Sequence, residues 1–262
     1  IKGTGKNGLA YTDVGNVEVH ALSALTAVTA AVSAGATKTS KSDGTSVNIQ
    51  GAGVYNSVNN TANAYIDGAN IVTTAAGSVR VRAMDTNKQD AAVYQELLTR
   101  GASDKAAELA RTSSIIDTKG NSYYDGLDTA MTDDGSGDGT LDLDTIGKNG
   151  STIVTAAAGV AVTNGDAAVG ASVAISDIDN KFTAKITDSE ITAADVEAQA
   201  NSDTLLVGVA GGVGVGNKIG GVGSASWQDI DNTAAATISG STIKAQSVSG
   251  RAVNTAKMIN VA

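Results

Sequence analysis

Residues Ile178–Ile191, IDNKFTAKITDSEI, line up without gaps against Val58–Ile71, VNNTANAYIDGANI, and against Ile230–Ile243, IDNTAAATISGSTI. Asn60, Asn180 and Asn232 coincide, as do Ala64, Ala184 and Ala236, and Ile66, Ile186 and Ile238. A short stretch with matching Val79, Val196 and Val248 follows each copy. The second and third copies stand 52 residues apart (232 − 180 = 52), the first and second 120 apart (180 − 60 = 120). A repeat with one insertion between its first two copies accounts for both spacings.

Within each copy apolar residues recur at every second position, as in Ala64-Tyr65-Ile66 and Val79-Arg80-Val81. That period is the signature of half-buried strands. Asn59-Asn60, Asp67-Gly68, Asp179-Asn180 and Gly240-Ser241 read as the turns between them. A 52-residue unit suits two coils of about 26 residues, giving seven or eight coils. Equivalent Asn side chains then stack in a corner and bond up and down the stack. With 31 Gly, one Phe and one Trp in 262 residues, the core is built from Ala, Val, Ile and Leu in thin layers. The expected fold is all-β, a right-handed parallel β-solenoid (β-helix) of stacked coils, with a small helical and acidic-loop insertion. The solenoid occupies 1–87 and continues through 151–262, and the insertion occupies 88–150.

Asp90–Arg100 in the insertion, DAAVYQELLTR, places Val93, Tyr94, Leu97 and Leu98 at helical spacing behind an Asp cap, and Ser103–Ile116 reads as a second short helix. Lys88–Gly150 holds 6 basic and 12 acidic residues, most of the net charge of −9. Counted from Asp134, the stretch DGSGDGTLDLDT puts oxygen side chains at Asp134, Ser136, Asp138 and Asp142, with Gly at the turn position and the Thr140 carbonyl in range. This is the spacing of an EF-hand-like loop, so Ca²⁺ is the expected cofactor. The twelfth position departs from the pattern: it holds Thr145, and Asp144 stands in one place earlier. A solvated acidic loop is the competing reading.

The absence of Cys and the single His20 exclude thiol catalysis, disulfide scaffolds and multi-His metal centres. An acidic chain lacking a basic stripe with stacking aromatics is not expected to bind nucleic acid. Leu205–Gly216 is the longest apolar run and is too short to span a bilayer as a helix, so no membrane insertion is expected. Gly3–Gly8, GTGKNG, matches a dinucleotide fingerprint formally but lacks the flanking strand and helix. The glycines of 211–223 let backbones approach closely. Asp177 with Asp179, and Asp229 with Asp231, pair like glycosidase carboxylates. They recur at one repeat position, however, where an active site needs an acid and a base tuned apart.

The unit VGASVAISDIDNKFTAKITDSEITAADVEAQANSD, with its GAxVAxxxI-x-N stretch, A-x-I-x-x-S-x-I-x-A strand pair and V-x-x-x-A strand, resembles the repeats of large filamentous adhesins of anaerobic bacteria, haemagglutinin-like or leukotoxin-type. That resemblance implies a β-solenoid passenger exported by a type V secretion system to the bacterial cell surface, extracellular and not an enzyme. It implies a structural segment of an adhesin or fibre that displays its insertion for binding. It names no receptor; the expected partners are an unidentified host or bacterial surface receptor or glycan, and adjacent repeats or copies end to end. The opening on Ile and the strand-like ends suggest an excised piece of a longer array. The alternatives are a self-assembling extracellular matrix or surface-layer filament subunit and, further down, a carbohydrate-active β-helix enzyme.

Overall fold

The computed structural model describes residues 10–23, 25–38, 46–85 and 150–262, and is all-β there, without a helix. The strands are β1 (Ala10–Val14), β2 (Val17–Ser23), β3 (Thr26–Thr37), β4 (Val47–Asp67), β5 (Asn70–Thr73), β6 (Ser78–Asp85), β7 (Ser151–Thr163) and β8 (Ala167–Thr187). They continue as β9 (Glu190–Thr192), β10 (Asp195–Val215), β11 (Ile219–Ser239), β12 (Thr242–Lys244) and β13 (Ser247–Val261). β6 ends at Asp85 and β7 begins at Ser151. The expected helical pair and acidic loop lie outside the described residues.

Every strand pairing is parallel, in three sheets. A short sheet runs β1-β5-β9-β12, and a long one runs β4-β8-β11. In the third, β10 is long enough to pair with β6 through Asp195–Asn201 and with β7 through Thr204–Val215, while β2, β3 and β13 extend it. The aligned residues are hydrogen-bonded neighbours: Asn60, Asn180 and Asn232 share one rung, and Ile66, Ile186 and Ile238 another.

Two features differ from the sequence-based expectation. Partners such as Asp195 and Ser247 stand 52 residues apart, not about 26. Single strands of 21 residues in β4, β8, β10 and β11 consume the repeat in one long layer, so the layers number about half those expected. The second difference concerns Asn59-Asn60 and Asp179-Asn180, which lie within β4 and β8 rather than in turns. Their polarity serves a strand: Asn60 and Asn180 point inward, while Asn59 and Asp179 face solvent and bond to each other at 3.2 Å. The chain does turn at the expected Asp67-Gly68 and Gly240-Ser241, and also at Asp188; φ is 62° at Gly68, 62° at Gly240 and 47° at Asp188. Glycine enters this left-handed region without strain, whereas a Cβ costs about 1–2 kcal/mol there.

The apolar core fills the angle between all three sheets. Ile66, Ile71, Val79, Val81, Phe182, Ile186, Ile191 and Val196 are fully buried there among small Ala residues. Beyond it the short sheet ends, and the two long sheets continue alone as a two-layer arm built from β3, β7 and β10 against β4, β8 and β11. Glycine makes their close approach feasible. A Cβ on Gly159 would land on the Ala171 carbonyl oxygen, one on Gly212 would sit 2.6 Å from that of Gly170, and one on Gly214 2.6 Å from that of Ala168. The close-approach role expected of 211–223 holds for Gly212, Gly214, Gly216 and Gly220, whereas Gly211 and Gly223 face open space.

Ile186→Asp should cost several kcal/mol, because an unpaired charge would be buried among apolar neighbours. Gly159→Val should be similarly severe, since backbone on the facing sheet cannot give way. Urea titration followed by circular dichroism checks both, and a near-native midpoint for either contradicts this packing.

Candidate functional site

Asp134, Ser136, Asp138, Thr140, Asp142 and Asp144, the expected calcium loop, lie outside the described residues, as does Gly3–Gly8. Among the described residues no group of three or more His, Asp or Glu side chains is arranged to hold a metal ion. Three other arrangements carry the polar chemistry.

The first sits where β6 breaks off. Asp85 is buried, and its carboxylate accepts from the Ser151 hydroxyl at 3.0 Å and from the Asp203 backbone N–H at 3.3 Å. It thereby ties the two ends of the interrupted layer to each other and to the uninterrupted β10. Gly150 leaves room for this clasp, since a Cβ there would lie 3.0 Å from the Asp85 carboxyl carbon and 2.6 Å from the Asp203 carbonyl oxygen. The Ser151 hydroxyl also accepts from Asn60 at 3.2 Å, and Asn60 accepts from Ser23 at 2.6 Å. One layer on, Thr204 accepts from Asn180 at 2.7 Å and exchanges bonds with Asn232. The stacked Asn residues thus bond across to the facing sheet rather than along the stack.

Burial pushes the Asp85 carboxyl up to about 7; hydrogen bonds from Ser151 and the Asp203 backbone oppose this, and the Asp203 charge adds to it. Burial likewise pushes Asp203 up to about 7 against a hydrogen bond from Thr255. Sequence reasoning missed this pair. The only signal is an Asp at position 85 on the inward run of Val79, Val81 and Ala83.

The second arrangement is a charge ladder on the outer side of β2, β6 and β10. Glu18 lies 3.3 Å from Arg80, Arg80 3.7 Å from Glu197, and Arg82 2.8 Å from Glu197. His20 is buried beside Glu18, with Nε2 3.3 Å from its carboxylate. Burial raises the Glu18 carboxyl, but the hydrogen bond and charge of His20 and the charges of Arg80 and Arg82 outweigh it, leaving it below its usual value. These alternating signs on adjacent parallel strands stabilise the register. His20 lies in β2, two residues from Glu18 on the same strand face.

The third is the outer face of β4, β8 and β11. Asp177 pairs in register with Asp229, and Asp179 with Asp231. In the next layer Ser57 donates to Asp177 at 3.3 Å and Asn59 to Asp179 at 3.2 Å. Adjoining these carboxylate rows is a rung of Tyr55, Ile175 and Trp227, whose two rings are 65 % and 70 % exposed. The paired carboxylates singled out in the sequence therefore form two stacked rows on an open surface, with hydroxyl and amide donors at one end.

Comparison with known proteins finds no matching family model, no similar curated protein and no similar solved structure.

Asp85 and Asp203 make stability depend on pH. Their folded values near 7 exceed the ordinary 3.8, so between these limits the folded chain holds more protons than the unfolded one. The stabilisation is complete below about pH 4 and lost as pH rises through about 7. Denaturation midpoints should fall from pH 5 to pH 8. Asp203→Asn should remove much of the fall and exceed the parent at pH 8 by on the order of 1–3 kcal/mol. A flat profile in the parent chain contradicts the clasp as described.

Proposed function

We propose that this chain is a non-catalytic structural stretch of a long right-handed parallel β-solenoid, part of an extracellular bacterial adhesin or fibre. The observation that carries this reading is the register. Strands 52 residues apart pair residue for residue, Ile219–Ser239 on Ala167–Thr187 and Ser247–Val261 on Asp195–Val209. A unit that pairs with the next copy of itself by pure translation is extended by adding units, without new rules. Parallel strands need long connections, and here the rest of each unit supplies them.

The charge ladder runs across three adjacent layers, and each Asn of the shared rung bonds to a Ser or Thr of the facing sheet, which suits a scaffold whose elements serve continuity. β6 ends at Asp85 and β7 begins at Ser151, so their clasp is the point from which a side element for receptor or glycan binding would project. Export by a type V system and a place on the cell surface follow from the repeat resemblance and belong to the same proposal. So does the candidate Ca²⁺ loop at Asp134–Asp144.

Duplicating residues 191–242, one 52-residue unit, tests the reading. The longer chain should unfold in a single transition, and its scattering profile should lengthen by one strand spacing, about 4.8 Å, along the stack. An added unit that unfolds separately, or that adds a second compact body, contradicts a translationally continued solenoid.

A further inference from the structure

We propose that the arm is a lateral self-association surface, through which copies of this chain stack side by side. The proposal rests on the fibre reading and adds a second direction of assembly to it.

Side chains inside the arm are assigned by their hydrogen bonds. Thr29 donates to Asn56 at 2.8 Å, Ser33 to Gln50 at 2.8 Å, and Ser172 to the Gly211 carbonyl at 2.7 Å. The Thr155 and Ser176 hydroxyls bond to each other, and Asn48 donates to the carbonyls of Gly35 and Val162 at 2.8 and 2.9 Å. Strand alternation then sends every intervening residue outward. On one side the outward rungs are Ala30-Ala156-Val209, Val32-Ala158-Gly211, Ala34-Val160-Val213 and Ala36-Val162-Val215. On the other they are Val47-Ala167-Ile219, Ile49-Val169-Gly221, Gly51-Ala171-Gly223 and Gly53-Val173-Ala225. No hydrogen-bonding side chain stands on either face. Val32 is 73 % exposed, Ile49 69 % and Ile219 62 %.

Parallel sheets are ordinarily covered on both faces. Here hydrogen-bonded Ser, Thr, Asn and Gln share the inside with small residues, and the outside is left to Val, Ile, Ala and Gly. A second copy fits these faces for three reasons. Rows of small and β-branched residues interdigitate with a like surface at the sheet-to-sheet distance of about 10 Å. Each face, seven to nine residues long and three strands deep, covers roughly 300–400 Å². That is about half of what one partner contributes to a stable interface, and the two faces together reach it. An arm held between two neighbours is therefore stable where a simple pair is marginal, and the contact propagates. Finally, the apolar band ends at Tyr55-Ile175-Trp227 and the carboxylate rows, where like charges stop a neighbouring arm. A bilayer suits the faces less well. The outer edge of β11 has no partner strand among the described residues; Asn260 and Asn254 donate to the Ser226 and Asn232 carbonyls, and hydrocarbon cannot satisfy the other outward groups.

Sedimentation velocity of the chain across a concentration series tests this, together with the double variant Val32→Lys/Val213→Lys. Both substitutions lie on exposed positions, and a circular dichroism melt verifies that the variant folds. The parent should associate reversibly, more strongly in sulfate, and the variant should lose at least tenfold in association constant. Equal association of parent and variant would overturn the proposal and point to end-on contacts. A parent that stays monomeric at all concentrations would overturn it as well, whether or not it co-sediments with zwitterionic vesicles. Neither result touches the unit-duplication experiment, so failure here and failure of the fibre reading are separable.

Discussion

Parallel backbone pairing between residues 52 positions apart is the constraint on which the rest of the structure depends. Because the strand period is two, a slip of one residue would exchange the inward and outward sets of every long strand at once. Ile66, Ile186 and Ile238 would leave the core, and the Asn60, Asn180 and Asn232 amides would lose their Ser and Thr partners. Register is thus enforced at both ends of each layer, by apolar burial at one and by cross-sheet hydrogen bonds at the other. The charge ladder of Glu18, Arg80 and Glu197 adds a third lock on the outer side.

The two parts of the section use different physics. Where three sheets meet, there is volume for Phe182 and Ile side chains, and burial of apolar surface supplies the stability. Where only two sheets run on, glycine brings backbones together and leaves no such volume. Small residues fill the gap, and hydroxyl and amide groups such as Thr29 with Asn56 and Ser33 with Gln50 bond to one another there, since a buried polar group without a partner is costly; Ser226 and Gln228 have buried polar atoms that lack one. The interrupted layer at Asp85 and Ser151 lies between these regimes, and a buried carboxylate joins the broken ends at the expense of sensitivity to pH.

Much of this was legible in the sequence. The alignment of Asn, Ala and Ile positions identified residues that turn out to be hydrogen-bonded neighbours, because translational repetition of sequence and of structure are the same fact here. The coil length was misjudged because Asp-Asn pairs read as turns. In β8 the Asp faces water and the Asn faces a Thr, so one strand accommodates both. Alternation also cannot say which face is inside: in the arm Val and Ala alternate with Ser, Thr and Gly, and only the facing sheet decides. Asp85 and Asp203 were invisible for the same reason, since their burial comes from strands far away in sequence. The expected calcium ligands Asp134 to Asp144 lie outside the described residues.

The absence of cysteine makes the register directly measurable. Cysteines replacing Asp179 and Asp231, exposed partners on β8 and β11, should lie one strand spacing apart, within the Cα separation a disulfide accepts. Under mild oxidation this pair should form an intramolecular disulfide rapidly, with little loss of β-sheet signal. A second chain with cysteines at Asp179 and Thr233, displaced by two residues, should cross-link far more slowly. Equal rates for the two pairs, or faster closure of the displaced pair, would contradict in-register stacking at 52 residues.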